Sequence, residues 1–575
     1  MTVDIASLVS NNLDIWTTAV DRKPSSGRGG GKQISLYGIN RLRALIFELA
    51  VQGRLVSQDP EDEPATNLLN RIKAEKNRLV ASGKAKPGKP LAHPSSWPFA
   101  IPGNWVWSQL GHVTNYGQTE KASPGTLPPE TWVLELEDIE KGTSRLLERV
   151  RCSDRPFQSQ KNLFQAGDVI YGKLRPYLDK VIIADEGGVC TTEMVPMRGY
   201  CDVRSDYIRL FLKTQFFIAL ATEAAHGMNL PRLATQKARE APFALPPLLE
   251  QQRIVAKVDE LMALCDALET ESASAIAAHQ TLVEALLTTL TTSTDTADLA
   301  ANWVRLEAHF DILFTTEVSV DALKQTILEL AVRGKLVPPD DSEDAAALIQ
   351  KWENAKQHLL ATAGDRRIKV APKPKAPPFD LPSHWQFQSF ENIFLFIDYR
   401  GNTPPKTQSG IPLITAKNVR MGYLDREPRE FISDETFSKW MSRGFPELGD
   451  LFFTTEAPLG NICLNNIEEP FAIAQRLICF KPFGPTNTRF YLLAIMSQSV
   501  QRVLDDNATG MTARGIKAAK LKSIPLPVPP EAEQARIVAK VEELMVVCDA
   551  LKAHLSDAAQ TQRHLADAIR LGTVA

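Results

Sequence analysis

The segment Glu250 to Leu268, EQQRIVAKVDELMALCDAL, returns as Glu533 to Leu551, EQARIVAKVEELMVVCDAL, with fifteen of nineteen positions identical. ELAVQGRLV at Glu48 to Val56 returns as ELAVRGKLV at Glu329 to Val337, and the IPGNW that ends at Trp105 returns as the LPSHW that ends at Trp385. Gly167-Asp168 returns as Gly449-Asp450, and Gly227-Met228 as Gly510-Met511. A self-similar period of about 280 residues is far too long for a solenoid unit and identifies a duplicated domain. The helical segments and Pro-rich joints repeat closely, whereas the stretch between each Trp and each EQ helix shares little beyond its turn and strand punctuation. The faithful part reads as a frame and the divergent part as a variable reader.

The long repeated helices carry an a/d seam. Ile254, Val258, Leu261, Cys265 and Leu268 are spaced 4, 3, 4, 3, as are Ile537, Val541, Leu544, Cys548 and Leu551. Neither helix can bury such a seam alone, so each seam is expected to pack on the other, with the two helices antiparallel and the molecule pseudo-two-fold. Upstream, Leu42, Leu45, Ile46 and Leu49 mark one helical face that Gly53 ends, and Leu323, Ile327, Leu330 and Gly334 repeat the arrangement. Short β-type runs after Trp105 and Trp385, such as DVIYGKL and DLFFTT, predict mixed α+β globules with one helix near Ser205 to Glu223 and its counterpart near Thr488 to Leu504. Residues 21 to 33, DRKPSSGRGGGKQ, read as a mobile linker after a short N-terminal helix. Their GGGK is no phosphate loop: Ser26 occupies the required glycine position and Gln33 follows the lysine.

Composition narrows the function classes. With 575 residues and a net charge of −3, any surface for nucleic acid has to be local. The seven cysteines include no CxxC pair, which argues against a zinc site or a secreted disulfide frame and predicts reduced cytosolic thiols. No leader or long apolar run is present, so a cytoplasmic protein is expected. A methyltransferase needs an Asn/Asp-Pro-Pro-aromatic loop and a Gly-rich cofactor turn; neither occurs. Dinucleotide motifs, HExxH, GxSxG and a nuclease Asp…Glu-x-Lys are likewise missing. A binding protein without catalytic or metal residues is expected.

The combination of LAVQGRLV/LAVRGKLV, GDVIYGKLRP/GDLFFTTEAP, GMNLPRL/GMTARGI and LPPLLEQQRIVAKVDEL/LPVPPEAEQARIVAKVEEL resembles the DNA-specificity subunit of type I restriction–modification systems. That resemblance implies an α+β chain with two target recognition domains separated by an antiparallel pair of long coiled-coil helices, each domain reading one half of a bipartite, asymmetric DNA target. It implies two adenine-N6 methyltransferase subunits that bring S-adenosylmethionine, and endonuclease/translocase subunits that use ATP and Mg, with no cofactor in this chain. A recognition subunit of a nuclease-free, methylation-linked phage-defence system would share these features and stays open. A structural coiled-coil adaptor with carbohydrate- or protein-binding globules is the rival of a different class.

The expected divisions are an N-terminal extension with linker (1–38), a frame segment (39–100), a first recognition domain (101–248), a spacer helix (249–292), a second frame segment (293–380), a second recognition domain (381–530) and a C-terminal spacer helix (531–575). Readout of bases requires Arg, Lys, Asn and Gln on base edges, with phosphate contacts fixing register. The residues of that type in the first reader are Lys121, Lys173, Arg175, Tyr177, Asn229, Arg232 and Lys237. In the second they are Arg400, Lys406, Lys417, Asn418, Arg420, Thr512, Arg514, Lys517 and Lys520, of which Arg514, Lys517 and Lys520 share a face if their segment is helical.

Overall fold

A computed structural model describes residues 3–23, 33–85, 87–340, 342–363, 377–399, 403–510 and 514–574. The chain divides into two compact units, the first formed by Met1–Ala275 with Ala558–Ala575, the second by Ile276–Asp557. Each unit therefore contains the first part of one long helix and the last part of the other, which run Leu248–Thr292 and Glu531–Val574.

In the first unit a frame helix, Tyr37–Val51, lies beside both. Its Arg43 pairs with Asp266 at 2.5 Å and Glu269 at 2.7 Å, while Gln58 just beyond it donates to Glu250 at 2.6 Å, so the first long helix runs against it. Its Tyr37 donates to Asp567 and its Glu48 accepts from Arg570, so the second long helix runs with it. The two long helices are thus antiparallel. The second unit repeats the logic around the frame helix Glu317–Val332: Lys324 meets Asp549 and Asp321 meets Lys552, both at 2.6 Å, while Lys335 caps the carbonyls of Thr291 and Ser293 at the end of the first long helix.

This arrangement corrects the expected cover of the seams. In the second unit Ile537, Val541 and Cys548 are buried in one apolar cluster with Val320, Leu323 and Ile327 of the frame helix and with Val283, Leu287 and Leu290 of the first long helix; Leu544 and Leu551 pack at its edge. An antiparallel partner presents its last turns to the first turns of its neighbour, so the seam meets residues 283–290 and not residues 254–268. In the first unit Ile254, Val258, Leu261 and Cys265 are buried, and burial pushes the Cys265 thiol up to about 11, as for a small packed hydrophobe.

The repeated glycines have a steric cause. Gly53 and Gly334 end the frame helices with φ of +68° and +67°. A Cβ at Gly53 would stand 2.7 Å from Pro102 Cδ, and one at Gly334 3.0 Å from Pro382 Cδ. Frame glycine, IPGNW/LPSHW joint and reader entrance are one packed unit, which explains why those sequence fragments repeat together.

Each reader opens and closes on paired strands: Val106–Gln109 with Pro242–Leu245, and Gln386–Ser389 with Pro525–Val528, all antiparallel. Two-stranded ribbons tolerate the prolines because half of each backbone edge needs no donor. Inside the first reader, Lys121–Ala122, Lys161–Phe164, Gly188–Cys190 and Trp132–Leu134 form one sheet in that order, and Met194–Met197, Val169–Gly172 and Val181–Ile183 a second. The second reader holds a four-stranded antiparallel sheet, Phe394–Asp398, Leu477–Pro482, Leu451–Thr455 and Leu459–Leu464, beside a three-stranded one built on Ile411–Ile414. The single helix expected in each reader is two: Ser205–Leu212 then Gln215–Glu223, and Thr488–Met496 then Gln498–Asp506. The break is chemical, because Thr214 and Ser497 take extended backbone and cap the following helix through their hydroxyls.

The N-terminal segment also differs from expectation. Two helices, Ile5–Asn11 and Leu13–Thr18, precede residue 20, and Trp16 is wholly buried beside the frame helix, where Gly38 donates to Ala19 O at 2.9 Å. The ends of the expected linker pair as strands Asp21–Lys23 and Gln33–Ser35; its residues 24–32 lie outside the described residues, as do 364–376 of the second Pro-rich joint.

Candidate nucleic-acid interface

The strand Val169–Gly172 runs into Lys173-Leu174-Arg175-Pro176, where Arg175 adopts a left-handed φ of +52°. That turn carries the chain back across a hairpin, Ala225–His226 paired with Arg232–Leu233, whose loop is residues 227–231. Leu174 bridges Arg232, Arg175 N donates to Pro231 O at 2.7 Å, and Leu233 N donates to Lys173 O at 3.0 Å. The Arg175 guanidinium rests on Asn229 O at 3.3 Å. Five residues singled out by type, Lys173, Arg175, Tyr177, Asn229 and Arg232, therefore converge on one turn and one hairpin. Lys121 lies instead on the strand Lys121–Ala122 and Lys237 on the helix Thr235–Glu240, where it pairs with Glu240 at 3.4 Å.

The second reader builds the same device. Ala457, also followed by proline, has φ of +48°; Glu456 bridges Gly515, and Thr509 bridges Gly515 across the corresponding hairpin. Ile516 N donates to Thr455 O at 3.0 Å, as Leu233 does to Lys173. Backbone is kept and chemistry exchanged: Arg175 becomes Ala457, Leu174 becomes Glu456 and Arg232 becomes Gly515. Cationic character moves to Arg514, to Lys517 and Lys520, and to Arg476, which residue-type reading missed and which pairs with Glu456 at 2.8 Å. Arg476 follows Gln475, and both have positive φ, +62° and +50°, a backbone signal with no counterpart in the sequence.

Two expectations are corrected here. Arg514, Lys517 and Lys520 do not share a helical face: the helix is only Ala518–Lys522, Lys517 is its N-cap, and Arg514 lies before the bridge with its guanidinium on Asp505 O at 2.8 Å. Asn418 is not available to a base. It is 1 % exposed; its Oδ1 accepts from Thr415 N at 3.1 Å and its Nδ2 donates to the carbonyls of Asp425 and Pro428, so both ends are consumed in closing a turn. Lys406 and Lys417 both pair with Glu430, at 2.8 and 2.9 Å. Burial would raise the Glu430 carboxyl, but hydrogen bonds from the two lysines outweigh it and hold the group below its usual range. Arg420 is likewise engaged, with Asp425 at 3.2 Å. Arg400 and Thr512 lie outside the described residues.

In the first reader Arg232 is paired with Glu193 at 2.9 Å, whereas among the described residues no carboxylate pairs with Lys173 or Arg175. Such a surface offers charge to phosphate and forked donors to base edges. Among the described residues no three metal-ligating side chains converge, and no helix is long and apolar enough to cross a membrane.

The chain has relatives among known proteins. Residues 385–560 match the family described as the type I restriction modification DNA specificity domain. The chain is 33 % identical to the type I restriction enzyme EcoAI specificity subunit of Escherichia coli over 99 % of both chains. It is 33 % identical to the EcoEI specificity subunit of the same organism, covering 98 % of this chain and 99 % of that one. A solved structure concerned with complex assembly and conformational transition of the type I R-M system aligns with a TM-score of 0.49 at 19 % identity, covering 83 % of this chain and 99 % of that chain.

Proposed function

The chain belongs to the type I restriction–modification specificity-subunit family, the non-catalytic subunits that recognise DNA sequence, and on that premise we propose how its two readers divide the work. Each reader reads one half of a bipartite, asymmetric target through its hairpin and left-handed turn, and the long helices set the gap between the halves. The observation that carries this reading is the exchange of side chains on a common backbone: Arg175, Arg232 and Leu174 in one reader against Ala457, Gly515 and Glu456 in the other. Two readers with the same support and different donor patterns have different base preferences.

The divisions 1–38, 39–100, 101–248, 249–292, 293–380, 381–530 and 531–575 serve this scheme as extension, frame, reader, spacer, frame, reader and spacer. Two methyltransferase subunits carrying S-adenosylmethionine dock on the spacer and frame helices, and endonuclease/translocase subunits supply ATP- and Mg-dependent cleavage, all in the cytoplasm. Sequencing of methylated genomic DNA with and without this gene tests the scheme. The expected result is one gene-dependent motif made of two unlike half-sites around a fixed unspecified gap; a continuous or palindromic motif contradicts it.

A further inference from the structure

The loop of the first hairpin holds a methionine that none of the described residues covers. Met228 is fully exposed at the tip, and Leu230 in the same loop is also exposed. Single exposed apolar side chains are ordinary, but two on one five-residue projecting loop call for a ligand. Cations stand at the loop: the Arg175 guanidinium rests on Asn229 O, and Arg232 at the foot of the loop pairs with Glu193.

A second observation comes from the repeat. The readers diverge on either side of the tip, NLPRL against TARGI, yet Gly227-Met228 and Gly510-Met511 are identical. Both glycines have left-handed φ, +117° and +105°, and a Cβ at Gly227 would stand 3.0 Å from Leu230 O, so glycine is required to enter the loop. That requirement explains the glycine and not the methionine. A side chain that discriminated bases would differ between readers with unlike half-sites, as positions 175 and 232 do. One retained in both serves a contact common to both halves.

We propose that Met228 is a sequence-independent wedge that enters a base step of duplex DNA beside the bases that Arg175 and Arg232 read; Met511, its counterpart in the repeat, lies outside the described residues. An unbranched, polarisable side chain with no polar atom to desolvate suits insertion between stacked bases, and apolar wedges of this type unstack a step and kink the duplex. Charge complementarity selects DNA over a protein partner, because the Arg175 guanidinium lies on the loop and, among the described residues, no carboxylate pairs with it. The proposal rests on the DNA-recognition reading and adds to it a role that is not readout.

The test uses the full chain in complex with its methyltransferase subunits and duplexes carrying the genomic motif, with 2-aminopurine placed at successive positions. Binding of the unaltered complex is expected to raise fluorescence at one step in the half-site that the first reader contacts. Met228→Ala abolishes the rise in the first half-site and weakens binding about tenfold; Met228→Leu, which keeps an apolar tip, retains both; neither variant changes the methylated motif. Equal fluorescence with Met228→Ala at every position, or a motif altered in one half, overturns the wedge while leaving DNA recognition intact. Loss of the methyltransferase subunits at unchanged duplex affinity also overturns it and places the tip at a protein interface. Failure of the unaltered complex to bind any duplex removes the DNA-recognition reading itself, and the wedge with it.

Discussion

Leu174 and Arg232, distant in sequence, form a single antiparallel bridge that fastens the left-handed turn to the hairpin of the first reader. The bridge fixes where the Arg232 side chain leaves the backbone, and its pairing with Glu193 holds the guanidinium at the rim of the hairpin. Replacement of this residue by glycine at position 515, with arginine shifted to position 514, makes these two arginines the sharpest contrast between the readers.

Arg232→Ala should therefore relax base preference in one half-site only, and Arg514→Ala in the other only. Each costs about 1–3 kcal/mol of discrimination if the contact is bidentate. Methylated-motif sequencing of the two variants reads this directly. A uniform loss of affinity over all sequences would mark the residue as a phosphate contact and sink the readout assignment.

At the frame joint, Gly53→Ala combines a left-handed backbone penalty with a clash against Pro102, and should destabilise the protein by about 2–4 kcal/mol. Gly334→Ala meets Pro382 in the same way and should behave alike. Denaturant midpoints of the two variants check this; values within a few tenths of the parent would show that the joint yields freely.

Lys76 supplies a pH signature. Its Nζ donates to Gly111 O at 2.7 Å, and burial, reinforced by Arg239, pulls its pKa from 10.5 down to about 8. The folded pKa lies below the unfolded one, so between pH 8 and 10.5 the unfolded chain holds a proton that the folded chain has released, and this group's contribution to stability rises with pH. Lys76→Met should remove that rise without altering the trend below pH 8. Identical pH dependence of the denaturation midpoint in parent and variant would show that Lys76 titrates normally.

The spacer role predicts a shift in target geometry. Four residues inserted near Ala278 lengthen the first long helix by about 6 Å and rotate its downstream part by about 40°. At about 3.4 Å per base pair, the unspecified gap should widen by one to two base pairs with both half-sites unchanged. An active variant that keeps its original gap would show that the helices serve docking and not spacing.

The seam positions, the frame glycines and the duplication are legible in the sequence because each is a local or periodic pattern: helical spacing for Ile537, Val541 and Cys548, a required left-handed φ for Gly53 and Gly334. What covers the seam was not legible. A heptad pattern says that a face must be buried, and only the antiparallel course of the helices puts Val283, Leu287 and Leu290 there. The same division holds at the interface. Residue type singled out Arg175, Asn229 and Arg232, which the fold brings together, but it equally singled out Asn418, which backbone groups of its own turn consume, and it gave no reason to look at Arg476 or Met228. Charge and hydrogen-bonding capacity belong to the residue and can be read from its letter. Whether that capacity remains open to a ligand depends on the long-range backbone register, such as the bridge from Leu174 to Arg232, that decides which groups have already met.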